Sequence, residues 1–454
     1  MKVLFANSPV IRSENSSPDN DFEIEGFIFK SSYRKIPGAW TLYKFLHDYL
    51  GLGKGVQYGV RAGSRWPWTM DKPHGGPHFP FFLAYAASYV KNMGHDVDVI
   101  DAVVNEQYNY AEYVSNIKDK RADIVVIECS TPTIDIDLWL AGKIAKFTEV
   151  ALAGPHLDDT SDQIKKSNPE IKYLLRGEYT LSMAKVIETR NPGIYESEVV
   201  TDLDSIPFPY RNFPGADKYY DPSMPTPRPQ LQIYASKGCP FKCTFCQWPK
   251  IMYGRKVSLR KPELVAQEIK EAINFHGIKS VFFDDDTFNM GNARISELCE
   301  ELKEIGLPWT MMGRFDTSPE WLYDKMVDSG CVGMRFGIET FNLEILKNVK
   351  KGIERKDFKK ILENITNNHP QLMIHLTMMK DMPGQTEEIH QEDMKILKDL
   401  GYSTNNPYRS YQLSRCAPFP GTEMYKELGE EFGEEALNEF KLYDGGKETI
   451  MKKL

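Results

Sequence analysis

A chain of 454 residues is long enough for about two or three domains with large buried cores, and its 41% hydrophobic and 26% charged residues give an ordinary globular balance. The formal net charge of −8 argues against a nucleic-acid backbone as partner, and no run of about 18 apolar residues is available to span a membrane. Seven cysteines, three of them clustered, and an N-terminus without a signal-peptide plan fit a reducing cytoplasm rather than a disulfide scaffold. Cys129, Cys299, Cys331 and Cys416 lie singly and read as small buried apolar residues.

The first 190 residues alternate strands and helices. Lys2–Asn7 is an apolar run, and Phe81–Asn92 has helical spacing ended by Gly94. Strand patterns follow at 96–102, 123–130, 149–154 and 172–177, with amphipathic segments between them. Strands rich in Val and Ile alternating with helices predict a doubly wound, Rossmann-like parallel sheet covered on both faces. Such sheets bind ligands beyond the carboxyl ends of their strands. The polar turns containing Ser130, Thr131 and Thr133, then Gly154, Pro155 and His156, then Gly177 and Glu178 fall at those ends.

Residues 10–79 form a long insertion after the first strand, with Trp40, Tyr43, His47, Tyr58, Trp66, Trp68, His74 and His78 among its glycines. A lid or pocket wall and a segment that merely packs on its neighbours are both open readings. From 191 to 230 seven prolines crowd between Pro207 and Pro229, which reads as an extended linker.

A second alternating series starts at Leu231 and runs to about 424, with strands at 231–235, 280–286, 308–315, 333–340, 372–380 and 408–415. Six strands are too few for a closed eight-stranded barrel. Residues 425–454 read as a short charged helical tail. Just after the first of these strands stand Cys239, Cys243 and Cys246, with three and then two residues between them. Three thiolates can hold three irons of a four-iron, four-sulfur cluster and leave the fourth open to a substrate. A structural zinc site would need a fourth ligand, and the next histidine along is His276.

The cysteine spacing, with Phe245 just before the last thiol, resembles the signature of the radical S-adenosylmethionine (SAM) superfamily. Residues 80–102, the Gly-Pro-His at 154–156 and the Arg-Gly-Glu at 176–178 resemble the cobalamin-binding domain that precedes the barrel in its cobalamin-dependent branch. The resemblance implies a partial (β/α)6, TIM-like barrel with its site at the strands' carboxyl ends. It implies a [4Fe-4S] cluster on Cys239, Cys243 and Cys246, whose open iron chelates the amino and carboxylate groups of SAM. Phe245 would meet the adenine, Asp284 and Asp286 the methionine amino group, Arg314 the SAM carboxylate and Glu339 a ribose hydroxyl. Cobalamin would sit against Ser130, Thr131, Thr133, Gly154, Pro155, His156, Gly177 and Glu178. No Asp-x-His-x-x-Gly motif is present, so no protein histidine is expected on cobalt.

The activity so implied is methylation of an unactivated sp3 carbon, through methylcobalamin and a 5′-deoxyadenosyl radical. No catalytic side chain is assigned. A glutamine residue of methyl-coenzyme M reductase is the expected substrate, on resemblance to the short archaeal enzymes that methylate it; peptide, protein and small-molecule substrates all remain open. An electron donor of flavodoxin or ferredoxin type would reduce the cluster. A cobalamin-dependent radical cyclase shares every motif cited. A non-enzymatic corrinoid sensor would leave the three cysteines without purpose. A tRNA methylthiotransferase would carry a second cysteine triplet upstream, where only Cys129 stands.

Overall fold

The computed structural model describes residues 1–9, 11–13, 56–59, 69–70, 77–105, 107, 109–353, 358–443, 445 and 449–454. Most of the 10–79 insertion, including Trp40, His47, Trp66, Trp68 and His74, lies outside the described residues. The chain divides into two compact units, the first made of 1–198 with 207–216 and the second of 199–206 with 217–454. No described helix is long and apolar enough to cross a membrane.

In the first unit, Lys2–Asn7 (β1) pairs in parallel with Asp96–Asp101 (β5) on one side and Ile124–Glu128 (β6) on the other. Ile11–Ser13 (β2), Val56–Gly59 (β3) and Thr69–Met70 (β4) form a separate antiparallel sheet. Beyond β6 lie Glu149–Ala153 (β7), Tyr173–Leu175 (β8) and Gly193–Tyr195 (β9), giving the order β5-β1-β6-β7-β8-β9. Every residue of β6, and five of the six in β1, is buried, because helices cover both faces and both sets of alternating side chains leave water. Each fully buried Val, Leu or Ile contributes about 1.5–3 kcal/mol. The chain goes from β1 to β5 and then crosses back to β6, so strand order reverses between β1 and β6. The short edge strand β9 was not expected; three residues are too few to show a period.

In the second unit six strands run in chain order: Gln230–Ile233 (β10), Ser280–Phe283 (β13), Trp309–Gly313 (β14), Cys331–Glu339 (β15), Met373–Lys380 (β16) and Arg409–Arg415 (β17). All neighbours pair in parallel, and β10 and β17 do not pair, so the layer stays open. Met334, Phe336, Ile338, Ile374 and Leu376 face one way and pack with Val265, Ile295, Leu298 and Leu322 from the covering helices. On the opposite face Phe282 and Met373 enclose Met224, and the buried pair Arg335–Asp221 closes at 2.5 Å.

Two features were not foreseen. Ser236–Lys237 (β11) and Ser258–Leu259 (β12) form a small antiparallel pair whose connecting loop carries all three clustered cysteines. The C-terminal helix Glu423–Phe432, capped by the Thr422 hydroxyl accepting from Tyr425 N–H at 3.2 Å, is more than a charged tail. Its Met424 and Leu428, with Leu437, Tyr443 and Ile450, bury Ile345 and Val349 in a second apolar core.

Candidate active site

The start of the loop between β11 and β12 is fixed by carboxylates that follow β13. Asp285, fully buried, accepts from Ala235 N–H at 3.2 Å and Ser236 Oγ–H at 2.5 Å. Burial pushes its carboxyl up to about 7 against these hydrogen bonds and the charge of Arg294. Asp286 accepts the Gly238 N–H at 2.8 Å, immediately before the first cysteine. Gly238 has φ +86°, and a Cβ there would stand 1.9 Å from Lys256 O, so only glycine fits. Alternation thus sends Asp285 to the strand junction and Asp286 to the cysteine loop. Asp284 is also buried at the end of β13, where its N–H donates to Ile233 O.

The three thiols meet in this loop. Thr287 Oγ donates to Cys239 Sγ at 3.4 Å. Burial, then the thiolates of Cys243 and Cys239 and the carboxylate of Asp286, push Cys246 well above the usual thiol range. Cys243 is raised by burial, against the cations Lys351 and Arg314. Buried thiols that repel as thiolates want a cation among them, which an iron–sulfur cluster supplies. Among the described residues no three or more His, Cys, Asp or Glu gather on a single ion. Three thiols of one loop are the donor set that an iron–sulfur cluster takes, so the residues fit that group.

Around the thiols stands a set of buried charges. Arg314, after β14, lays its fork on Asp316 at 2.9 and 2.7 Å, gives a third hydrogen bond to Lys351 O at 2.9 Å, and stacks 3.7 Å over the Phe241 ring. A SAM carboxylate would thus meet a guanidinium already engaged, with two of its five N–H groups left over. Glu339 ends β15 at φ +66°, an uncommon conformation for a non-glycine residue. Lys351 holds it there, Nζ to Oε1 at 2.6 Å. A Cβ on Gly337 would come within 2.8 Å of that oxygen, so glycine makes room for the pair. Burial disfavours the Lys351 ammonium, but Glu339 and then Cys243 outweigh it, and its pKa lies above the ordinary lysine value. Phe245 is half-buried against the second core, beside Ile345 and Met424. Asp316 and Lys351 were missed in the sequence. The Arg-Phe-Asp alternation at 314–316 could have signalled the first, but nothing local signals Lys351.

In the first unit the expected loop residues converge at the ends of β6 and β7. Ser130 Oγ and Thr133 Oγ1 lie 2.8 Å apart, and Thr133 donates to Asp137 at 2.8 Å. Thr131 Oγ1 contacts His156 Nδ1 at 3.2 Å. Burial lowers His156 to about 3, so the imidazole is neutral. Gly154, at φ +128°, passes so close to the β6 end that a Cβ would lie 2.3 Å from Cys129 O. Pro155 is buried beside it. Gly177 adopts φ +53°, and the N–H of the buried Glu178 donates to Ser197 Oγ at 3.0 Å. The serine and threonine hydroxyls named in advance therefore bond to one another, to Asp137 and to His156. Among the described residues, both side-chain polar atoms of the buried Asn7, at the end of β1, and the hydroxyls of Thr180 and Ser182 are buried with no hydrogen-bond partner. Leaving a buried amide unpaired costs about 1–3 kcal/mol. An orphaned amide at the strand-order reversal, beside a glycine-tight turn, fits a polar ligand such as the amide-rich corrin periphery.

Comparison with known proteins agrees with this geometry. Residues 233–397 match the family model of the Radical SAM superfamily. That match falls within the second unit. The chain is 27% identical over 376 residues to an uncharacterized methyltransferase of Pyrococcus horikoshii, covering 76% of this chain and 78% of that protein. It is 23% identical over 385 residues to the anaerobic magnesium-protoporphyrin IX monomethyl ester cyclase of Rubrivivax gelatinosus, covering 77% and 66%. In fold it is similar to the radical SAM methyltransferase TsrM from Kitasatospora setae, solved with cobalamin and a [4Fe-4S] cluster bound. That match has a TM-score of 0.59 at 15% identity and covers 78% of this chain and 72% of the other.

Proposed function

We propose that this chain is a cobalamin-dependent radical SAM enzyme that methylates an unactivated sp3 carbon. The observation that carries the reading is the loop between β11 and β12. It holds three mutually repelling thiols in front of a buried charged set, downstream of a parallel sheet with an orphaned amide at its reversal point. Cys239, Cys243 and Cys246 would hold the cluster and leave one iron for SAM. Asp286 and Gly238 fix the loop that presents them. Glu339, locked by Lys351, would offer its second carboxylate oxygen to a ribose hydroxyl of SAM. Asp284 would take the methionine amino group, Arg314 its carboxylate and Phe245 the adenine. Asn7, Thr180 and Ser182, with Ser130, Thr131, Thr133, Gly154, Pro155, His156, Gly177 and Glu178, would line the cobalamin site. The bound cofactors supply homolytic SAM cleavage and methyl carriage; the protein supplies orientation and exclusion of water.

A glutamine residue of methyl-coenzyme M reductase is the substrate we put forward, on the resemblance set out above. The test is anaerobic turnover of the cluster- and cobalamin-loaded chain with a low-potential one-electron reductant, SAM and a peptide carrying that glutamine. Methylation yields S-adenosylhomocysteine and 5′-deoxyadenosine in equal amounts, with a methylated peptide. The similarity to the Rubrivivax cyclase favours a second reading, ring closure, under which deoxyadenosine forms with no adenosylhomocysteine.

A further inference from the structure

Although the chain's net charge is −8, its cysteine loop carries no acidic residue. From Ser236 to Lys261, across the cysteine loop, stand seven lysines and arginines and no aspartate or glutamate. Lys237 and Arg260 are buried, and Lys250 donates to Gly421 O. Lys242 and Lys256 are exposed, and Arg255 is half-exposed with one N–H donated to Phe241 O at 2.8 Å.

A second basic turn joins them. Val349 O accepts Thr244 N–H at 3.0 Å, which brings the segment with the exposed Lys347 and Lys350 against the cysteine loop. A Cβ on Gly352 would lie 3.5 Å from the Phe241 ring. The charge of Arg255 acts on the Lys350 ammonium, so cations from the two stretches share one face. Acids nearby are few: Glu423 pairs with Lys350, Glu427 acts on it, and Glu344 is exposed on the helix before Lys347. Lys242, Arg255, Lys256 and Lys347 make no ion pair among the described residues. The loop beneath is open at the surface, with Pro240 exposed and Cys239 partly so.

We propose that this basic face docks an acidic electron-transfer protein, of the flavodoxin class, that reduces the cluster. This rests on the cluster reading above. Four unpaired cations over the redox group suit the small, charge-steered encounters by which redox proteins meet. They are too few for a nucleic-acid groove making 6–10 phosphate contacts. The step is one electron: the donor's anionic flavin hydroquinone becomes the neutral semiquinone without moving a proton, and the cluster passes from the 2+ to the 1+ state.

The experiment uses the full chain with its cluster loaded, and Lys256→Glu/Lys347→Glu, two changes outside the cysteine triplet. Cluster reduction is followed by stopped-flow absorption and paramagnetic resonance, with an acidic flavodoxin hydroquinone and separately with photoreduced deazaflavin. The variant should lose at least about tenfold in second-order rate with flavodoxin at low salt, with a flatter salt dependence. Its reduction by deazaflavin and its reduced-cluster spectrum should be unchanged, and Lys256→Gln/Lys347→Gln should fall between. An unaltered flavodoxin rate would overturn the proposal. So would an equal loss with deazaflavin, which places the defect in the cluster, or a variant that loses nucleic-acid retention while keeping its flavodoxin rate. Failure of any cluster to form would count instead against the proposed function.

Discussion

At the ends of β1, β6 and β7 the first unit presents mostly uncharged groups around the buried carboxylates of Glu128 and Asp137: an orphaned amide at Asn7, the hydroxyls of Ser130, Thr131 and Thr133, and the uncharged imidazole of His156. At the ends of β13, β14 and β15 the second unit presents charges already paired before any ligand arrives, Arg314 on Asp316 and Lys351 on Glu339. Both lie at the carboxyl edge of parallel strands, yet they solve different problems. A site for a charged sulfonium amino acid next to a cluster keeps buried charges, and buried charges need partners that hold their geometry. A site for a large neutral amide-rich ligand needs shape and unclaimed hydrogen-bonding groups, and it tolerates some that stay unmet until the ligand binds.

The largest expected effect is in the charged site. Lys351→Met leaves Glu339 buried and alone, which should cost about 3–5 kcal/mol and weaken SAM binding measured by calorimetry. Lys351→Met/Glu339→Gln should recover much of the stability and little of the SAM affinity. Equal losses in single and double variants would mean that the pair is not coupled.

Next comes Gly154→Ala in the neutral site. A methyl group 2.3 Å from Cys129 O at φ +128° forces the turn apart, at a cost of at least about 1–3 kcal/mol, and cobalamin retention should fall. Gly94→Ala also sits at positive φ, but with nothing near its Cβ; it should leave retention unchanged.

Two buried groups, His156 in the first unit and Asp285 in the second, should contribute to pH dependence in opposite senses, while His375 in the second unit, lowered to about 4 by burial, acts in the sense of His156. His156 titrates at about 3 in the folded chain against 6.5 ordinarily, so the unfolded chain binds the extra proton between those values. Stability of the first unit should fall by about 1.4 kcal/mol per pH unit as pH drops below 6.5. Asp285 titrates at about 7 when folded against 3.8 ordinarily, so there the folded chain binds the extra proton. Its contribution is full below 3.8 and is lost as pH rises toward 7, with the same slope reversed. Hydrogen exchange resolved by unit, between pH 4 and 7, should show His156→Gln flattening only the first dependence and Asp285→Asn only the second. Slopes untouched by either change would remove both residues from the account.

The smallest effect is the most specific. Asn7→Leu should leave the ligand-free chain as stable or up to about 1–3 kcal/mol more so, because it removes an unpaired buried amide, while weakening cobalamin binding. A plain loss of stability would make Asn7 structural.

The same contrast explains what could be read from the sequence. The cluster loop was legible because three cysteines lie within eight residues and their spacing carries the chemistry. The placement of Asp284 to Asp286, Arg314 and Glu339 at strand ends was legible because each closes a strand of clear pattern, while the roles proposed for them came from the family resemblance. Lys351 was not, because its partner is twelve residues away across a turn. Nor was the hydroxyl scaffold of the first unit, where Thr131 meets His156 and Tyr179 meets Glu128 across intervals that no periodicity marks. Asn7 was hidden for a different reason: an amide at the end of an apolar strand looks like the start of any loop. Alternation marked the six long strands of the second unit and the family resemblance implied their barrel arrangement, whereas β9, β11 and β12 are too short to have a period.

The central claim, one redox cluster in the second unit and one corrinoid in the first, is tested most directly by counting metals. The chain, reconstituted anaerobically with iron, sulfide and cobalamin and then desalted, should carry about four irons and one cobalt. Cys239→Ala/Cys243→Ala/Cys246→Ala should lose all the iron and keep the cobalt. Stoichiometric zinc in place of iron, or cobalt that leaves with the iron or never binds, would contradict it.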